Sequence, residues 1–286
     1  MKYSSRFFLY APMALFLALV LGVSIHWWIV ASAFSTRLAA MNGHQIAPGV
    51  TMHYASRTIS GFPFTLDTVF RQMSFEIETP YGPSAWHADK FAMHALTYGR
   101  EETIFEAAGP QELRWMRDDG SKRMLVFAVG SLHASAIEDR TGLMRFDLDL
   151  VGFGSKVMTA RRLQFHIRRD KDDTLDLAVM TDDIRIVPGI CPNLAGGVDR
   201  ATLGGTITKA GSFASLRAGM QRWETAITQW RTAGGKVSSG GLWLAPPRTN
   251  TVIASLRFQT ALSQVSADRI FAVSDLLDGL CGAARH

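Results

Sequence analysis

Residues 143–150 read Leu143-Met144-Arg145-Phe146-Asp147-Leu148-Asp149-Leu150, an alternation that sets Met144, Phe146, Leu148 and Leu150 against Arg145, Asp147 and Asp149. Successive side chains of a β-strand face opposite sides, so this period of two describes a strand with one covered face and one wet face. The pattern recurs outward in both directions. Toward the N-terminus it runs through Leu125, Phe127, Val129; Met73, Phe75, Ile77; Phe64, Leu66, Thr68, Phe70; and Val50, Met52, Tyr54. Toward the C-terminus it runs through Leu163, Phe165, Ile167; Leu175, Leu177, Val179; and Ile184, Ile186. Turn formers stand between the runs: Pro80-Tyr81-Gly82-Pro83, Asp118-Asp119-Gly120, Arg140-Thr141-Gly142 and Arg169-Asp170-Lys171-Asp172-Asp173. Their spacing suits hairpin connections between consecutive antiparallel neighbours. The reading is a long meander whose polar face carries Asp147, Asp149, Arg162, Gln164, His166, Arg168 and Asp176. Its apolar face must fold on itself, lie under a helix or hold an apolar ligand, because exposed apolar area costs about 25 cal/mol per Å².

A cover is predicted downstream. Leu216, Met220, Trp223, Ile227 and Trp230 recur at helical intervals between Ser212 and Gly234-Gly235, with Arg217, Gln221, Arg222 and Arg231 opposite. Such a helix covers a core or lies on a membrane surface. A further strand is expected over Val252, Ala254, Leu256 and Phe258. A last helix is expected from Ser266-Ala267-Asp268, with Ile270, Val273, Leu277 and Leu280 on one face.

The start of the chain decides the compartment. No charged residue lies between Arg6 and Arg37, and Phe8–Val30 is long enough for a helix to cross a hydrocarbon core of about 30 Å. Trp27 and Trp28 mark the interface. Lys2 and Arg6 precede the span whereas Arg37 alone follows closely, which keeps the N-terminus cytoplasmic and exports the rest. Ala31-Ser32-Ala33 has the form of a signal-peptidase site, but signal h-regions run only about 7–15 residues, so a retained signal anchor is the expectation. The anchor helix should continue through Leu38–Met41 and stop at Gly43. The domains are then a cytoplasmic terminus (1–6), a transmembrane signal anchor (7–33) and an exported β-rich domain (34–286).

Composition excludes several classes. With 47% hydrophobic and 19% charged residues the chain is a folded globular one with a single lipid-embedded segment, not a disordered chain or a polytopic transporter. The net charge of +5 is spread without a basic stripe, so nucleic acid is not expected as a partner. Cys191 and Cys281 lie 90 positions apart and allow one disulfide or two buried free thiols. No H-x-H, H-E-x-x-H, G-x-S-x-G, S-x-x-K, P-loop or G-x-G-x-x-G pattern is present, so no catalytic, cofactor-binding or metal-ligating residue is assigned and no cofactor is expected. A cleft uniting several of Asp67, His87, Asp89, His94, His133 and His166 would be the mark of an enzyme.

The most distinctive segment is Ser60-Gly61-Phe62-Pro63-Phe64, between two strands. Gly61 permits unusual φ, Pro63 removes a donor, and Phe62 and Phe64 are expected to anchor a bend to opposite sides. An anchor, a strand, S-G-F-P-F and a second strand resemble a family of bacterial envelope proteins known as domain of unknown function 2125. Trp86–Tyr98, Leu143–Leu150, the stretch Asp176–Ile184 and Trp230-Arg231-Thr232-Ala233-Gly234-Gly235 add to the likeness. The family lends no catalytic residue. More distantly the chain resembles the exported sheet domains of AsmA-like proteins, which implies lipid handling in the envelope.

The combined expectation is a mainly β fold with flanking helices: an N-terminal transmembrane helix, then a large antiparallel meander sheet covered by one or two amphipathic helices. The protein is expected in the bacterial inner membrane with its main domain periplasmic, as a non-enzymatic binding module for lipid or another acyl ligand. The alternative is a structural or assembly protein that meets an envelope partner through protein contacts and has no ligand cavity.

Overall fold

The computed structural model describes residues 5–260, except 48, 80–81, 99–101, 118, 140–141, 171–172, 189–196, 214–222, 246–253 and 257–258. Cys191, Cys281 and the helix expected from Ser266 lie outside the described residues. Helix α1 (Ser5–Met41) has 37 residues, or about 55 Å at 1.5 Å per residue, well beyond a hydrocarbon thickness. Its stretch Tyr10–Met41 is long and apolar enough to cross a membrane, with a mean hydropathy of 2.2 in its most apolar window. Apolar side chains such as Leu15 (71% exposed) and Leu21 (61%) lie bare on it. The helix ends at Met41, and Gly43 follows with φ of 77°.

Among the described residues fourteen strands follow in one antiparallel sheet: β1 (His44–Ala47), β2 (Val50–His53), β3 (Ser56–Ser60), β4 (Thr65–Thr79), β5 (Gly82–Leu96), β6 (Glu102–Met116), β7 (Lys122–Asp139), β8 (Gly142–Ser155), β9 (Met158–Asp170), β10 (Thr174–Ile186), β11 (Val198–Thr208), β12 (Val237–Ala245), β13 (Ala254–Leu256) and β14 (Gln259–Thr260). From β4 to β13 each strand pairs with its neighbour in sequence, while β3 pairs beside β4 and β14 beside β12. The expected hairpins close as Thr79↔Gly82, Met116↔Lys122, Asp139↔Gly142 and Asp170↔Thr174.

Two pairs of sequence runs merge. The run that begins at Phe64 enters β4 at Thr65, so Leu66–Phe70 and Met73–Ile77 fall on this one continuous strand, and Leu175–Val179 and Ile184–Ile186 fall on another, β10. The break in phase between them is a crease that crosses the sheet from β4 to β11. The apolar phase skips one position from Phe70 to Met73, Phe91 to Ala88, Leu132 to Val129, Leu150 to Phe153, Leu163 to Ala160, Thr181 to Ile184 and Ala201 to Val198. Strand β6 has a bulge at Gly109 instead. Along this line Gln72 (φ 52°), Gly109 (81°), Gly152 (67°) and Asp183 (54°) occupy the left-handed region on alternate strands. One residue turned this way inverts the alternation, so a strand can bend and still keep its apolar side chains on one face. Phe75 and Trp86, beyond the crease, accordingly meet Phe91, before it, with ring centroids 6.2 and 5.7 Å apart.

The principal core lies under the end of α1. Leu38, Met52, Tyr54, Phe70, Met73, Phe91 and Ala107 form one buried cluster, with Phe34, Trp86, Met93, Phe105 and Leu132 against it. The end of α1 therefore covers the β2–β6 side of the apolar face, where the sequence pattern predicts the later amphipathic helix. The described part of that helix, α2 (Trp223–Thr232), packs elsewhere. Its Trp230 is 1% exposed, meets Phe213 of the 3₁₀ turn Ala210–Phe213 in a tilted ring pair and donates Nε1–H to the Thr208 carbonyl at 2.5 Å. Buried indole N–H needs an acceptor, and the end of β11 supplies it.

Candidate functional site

Two faces and one corner carry the features that bear on function. On the apolar face a cross-strand row runs Phe105, Ala134, Leu148, Phe165, Val179 and Leu203, each opposite the next. Phe146, Ile167 and Leu177 flank it on one side; Leu132, Leu150 and Leu163 flank it on the other. Phe146 and Phe165 meet edge-on at 6.2 Å. Leu148, Phe165, Val179 and Leu203 all stay partly exposed. Among the described residues, β8 and β9 pack substantially only on their sheet neighbours. Among the described residues the cover provided by α1 thus ends before these strands, and no described helix packs over the apolar strip around Leu148 and Phe165.

The opposite face carries a ladder in which acidic and basic side chains alternate over eight consecutive strands. Asp67 Oδ1 meets His94 Nδ1 at 2.8 Å; His94 Nε2 faces Glu106 at 3.7 Å; Glu106 faces His133 at 3.3 Å. His133 lies opposite Asp149, which accepts from Arg162 Nε and Nη2 at 2.8 and 2.7 Å. Arg162 lies opposite Asp182, and Asp182 accepts from Arg200 Nε at 3.0 Å. The fork from Arg162 is the main reason the Asp149 carboxyl titrates below the usual carboxylate range. Partial burial raises Asp147, yet hydrogen bonds from His166, at 2.5 Å, and from Arg145 outweigh it and hold this carboxyl low as well. Asp67, His94, His133 and His166 therefore lie side by side across a sheet face, and His87 pairs separately with Asp89 at 3.6 Å. Among the described residues no group of three or more His, Cys, Asp or Glu side chains is placed to hold a metal ion.

The corner is where α1 meets β3 and β4. Tyr54 Oη donates to the Leu38 carbonyl and accepts from Arg57 Nη1, while Arg57 Nη2 donates to the carbonyl and Oγ of Ser35 at 2.7 and 2.9 Å. Asn42 and the Tyr54 backbone exchange two more bonds. Of these contacts the Tyr54 bond reaches a carbonyl within the last turn of the helix, where carbonyls lack a full set of intrahelical partners. An open cleft of about 760 Å³ runs between α1 and β3, lined by Trp27, Ser32, Ser35, Ser56 and Arg57 among others. Nearer the N-terminus of the helix, Trp27 Nε1 donates to the Thr65 carbonyl at 2.9 Å and its ring meets Phe62 edge-on at 5.7 Å.

Gly61, Phe62, Pro63 and Phe64 form the turn between β3 and β4, with a cis bond before Pro63 and φ of 99° at Gly61. The bend is as expected, but its anchoring is not. Phe62 is 55% and Phe64 57% exposed, so neither ring is buried in the sheet. The turn is held by its backbone instead: Thr65 donates N–H and Oγ1–H to the Gly61 carbonyl, and Thr97 donates N–H and Oγ1–H to the Phe64 carbonyl. Sequence reading missed Tyr54, Arg57 and Glu106 as partners, because only strand register brings them to α1 or to the ladder.

The family model for an uncharacterized protein conserved in bacteria, DUF2125, matches residues 27–260. The chain belongs to the DUF2125 family. The match covers the whole described sheet and begins at Trp27, the helix residue bonded to Thr65. No curated protein and no solved structure matches the chain.

Proposed function

We propose that this DUF2125 protein is a single-pass bacterial inner-membrane protein whose periplasmic sheet binds or guides lipid or another acyl ligand along its apolar face. The observation that carries the reading is the open strip around Leu148 and Phe165, where apolar side chains from β7 to β11 form one surface with no described helix over them. Surfaces of this kind mark ligand grooves or interaction sites, and a strip lined almost only by aliphatic and aromatic groups suits hydrocarbon chains. The anchor and its flanking charges support the compartment: Lys2 and Arg6 before the span keep the N-terminus inside.

The test uses the register. A photoreactive phenylalanine analogue at Phe165 faces the strip, whereas the same analogue at Gln164 faces the ladder. Membranes carrying the full chain should give lipid adducts at position 165 and none at 164. Protein adducts at 165 would turn the reading toward an assembly role, and equal labelling at both positions would remove it. A C-terminal reporter active only in the cytoplasm would overturn the topology.

A further inference from the structure

We infer that the Gly61–Phe64 turn, with Tyr98 beside it, is a foot that seats the β domain in the interfacial layer of the bilayer. The inference rests on α1 being the membrane span and is independent of ligand binding on the sheet face. Contacts between α1 and β3 run antiparallel: Leu38 meets Tyr54, Ser35 meets Arg57, and Trp27 meets Phe62 and Thr65. Moving forward along the domain therefore means moving back along the helix. The turn is the part of this hairpin nearest the lipid-crossing half of α1.

Depth follows from helix geometry. From Tyr10 to Trp27 the helix rises about 26 Å at 1.5 Å per residue, close to one hydrocarbon thickness, which brings Trp27 and Trp28 to the headgroup level. Phe62 touches Trp27 and so shares its depth. Phe64 meets Tyr98 edge-on at 6.5 Å, and Tyr98 is 61% exposed. Three large rings are thus bare at one end of the sheet, and Trp28, which follows Trp27 in the helix, is itself 66% exposed. No charged residue lies from Thr58 to Leu66. Water offers such a cluster nothing, whereas the acyl boundary takes up the apolar rings of Phe62 and Phe64 and the headgroup level suits Tyr98, with its apolar body and polar tip. The continuity of the foot with the lipid-exposed surface of α1 selects the bilayer over a protein partner.

The full chain in vesicles of phosphatidylethanolamine and phosphatidylglycerol, with benzoylphenylalanine placed singly at Phe62, Phe64, Trp28 or Met124, provides the test. Met124 lies near the far end of β7 and is 62% exposed. Lipid adducts at Phe62 and Phe64 are expected within about threefold of the Trp28 yield and about tenfold above Met124. Adducts at Trp28 with only the Met124 level at Phe62 and Phe64 overturn the foot while leaving the span intact, and so do protein adducts at those positions. Loss of labelling at Trp28 removes the span and the foot together, without bearing on the Phe165 result.

Discussion

The Tyr54 hydroxyl donates to the Leu38 carbonyl across 2.9 Å in a buried setting, joining the end of the apolar helix to the first strands of the sheet. The same oxygen accepts from Arg57. Tyr54→Phe therefore strands a helix-end carbonyl and an arginine donor at once, at an expected loss of about 1–3 kcal/mol. Chemical denaturation of the full chain in detergent checks this, with Arg57→Lys as a milder companion that keeps the charge but not the fork.

Gly61→Ala strains the turn for two reasons: φ is 99°, and the new methyl would fall within contact of Thr65 Oγ1 and 2.7 Å from the Thr65 carbonyl oxygen. We expect a loss of about 2 kcal/mol or more in unfolding free energy. Gly154→Ala, with no neighbour within 4 Å of the added methyl, is the matched control and should change stability little.

The crease makes a parallel forecast. Gly152 sits at φ 67°, and an added Cβ would lie 3.4 Å from the Gly130 nitrogen. Gly152→Ala should lower stability by about 1–2 kcal/mol, the usual penalty for a side chain in the left-handed region. Unaltered denaturation by urea would show that the strand relaxes around the line.

Acid should release the Asp149–Arg162 pair. The Asp149 carboxyl titrates low in the folded chain, so its stabilising contribution is complete above the ordinary aspartate value near 3.9 and is lost as pH falls through the lower folded value. Arg162→Gln removes the largest cause of the depression, so the Asp149 titration followed by carbon NMR should move upward toward about 3.9. A curve that stays in place in Arg162→Gln would assign the depression to other neighbours.

Much of this architecture was legible in the chain itself. A period of two is a local property of each strand, hairpin turns are local chemistry, and thirty uncharged residues from Phe7 to Thr36 are enough to describe a span. The phase break between Phe70 and Met73 was also visible, but nothing local distinguishes a turn between two strands from a crease within one. Tertiary structure decided that point, because the backbone at Gln72 turns over while Arg71 and Met73 remain paired with Lys90 and Ala88. It decided too that Leu38 joins the core while the described part of the later helix packs beside β11, that Asp67 through Arg200 line up as alternating acids and bases, and that Phe62 lies against Trp27. Each of these depends on the register between strands or on the docking of a helix, and such long-range contacts are set by the folded chain as a whole, beyond the reach of any short window of residues.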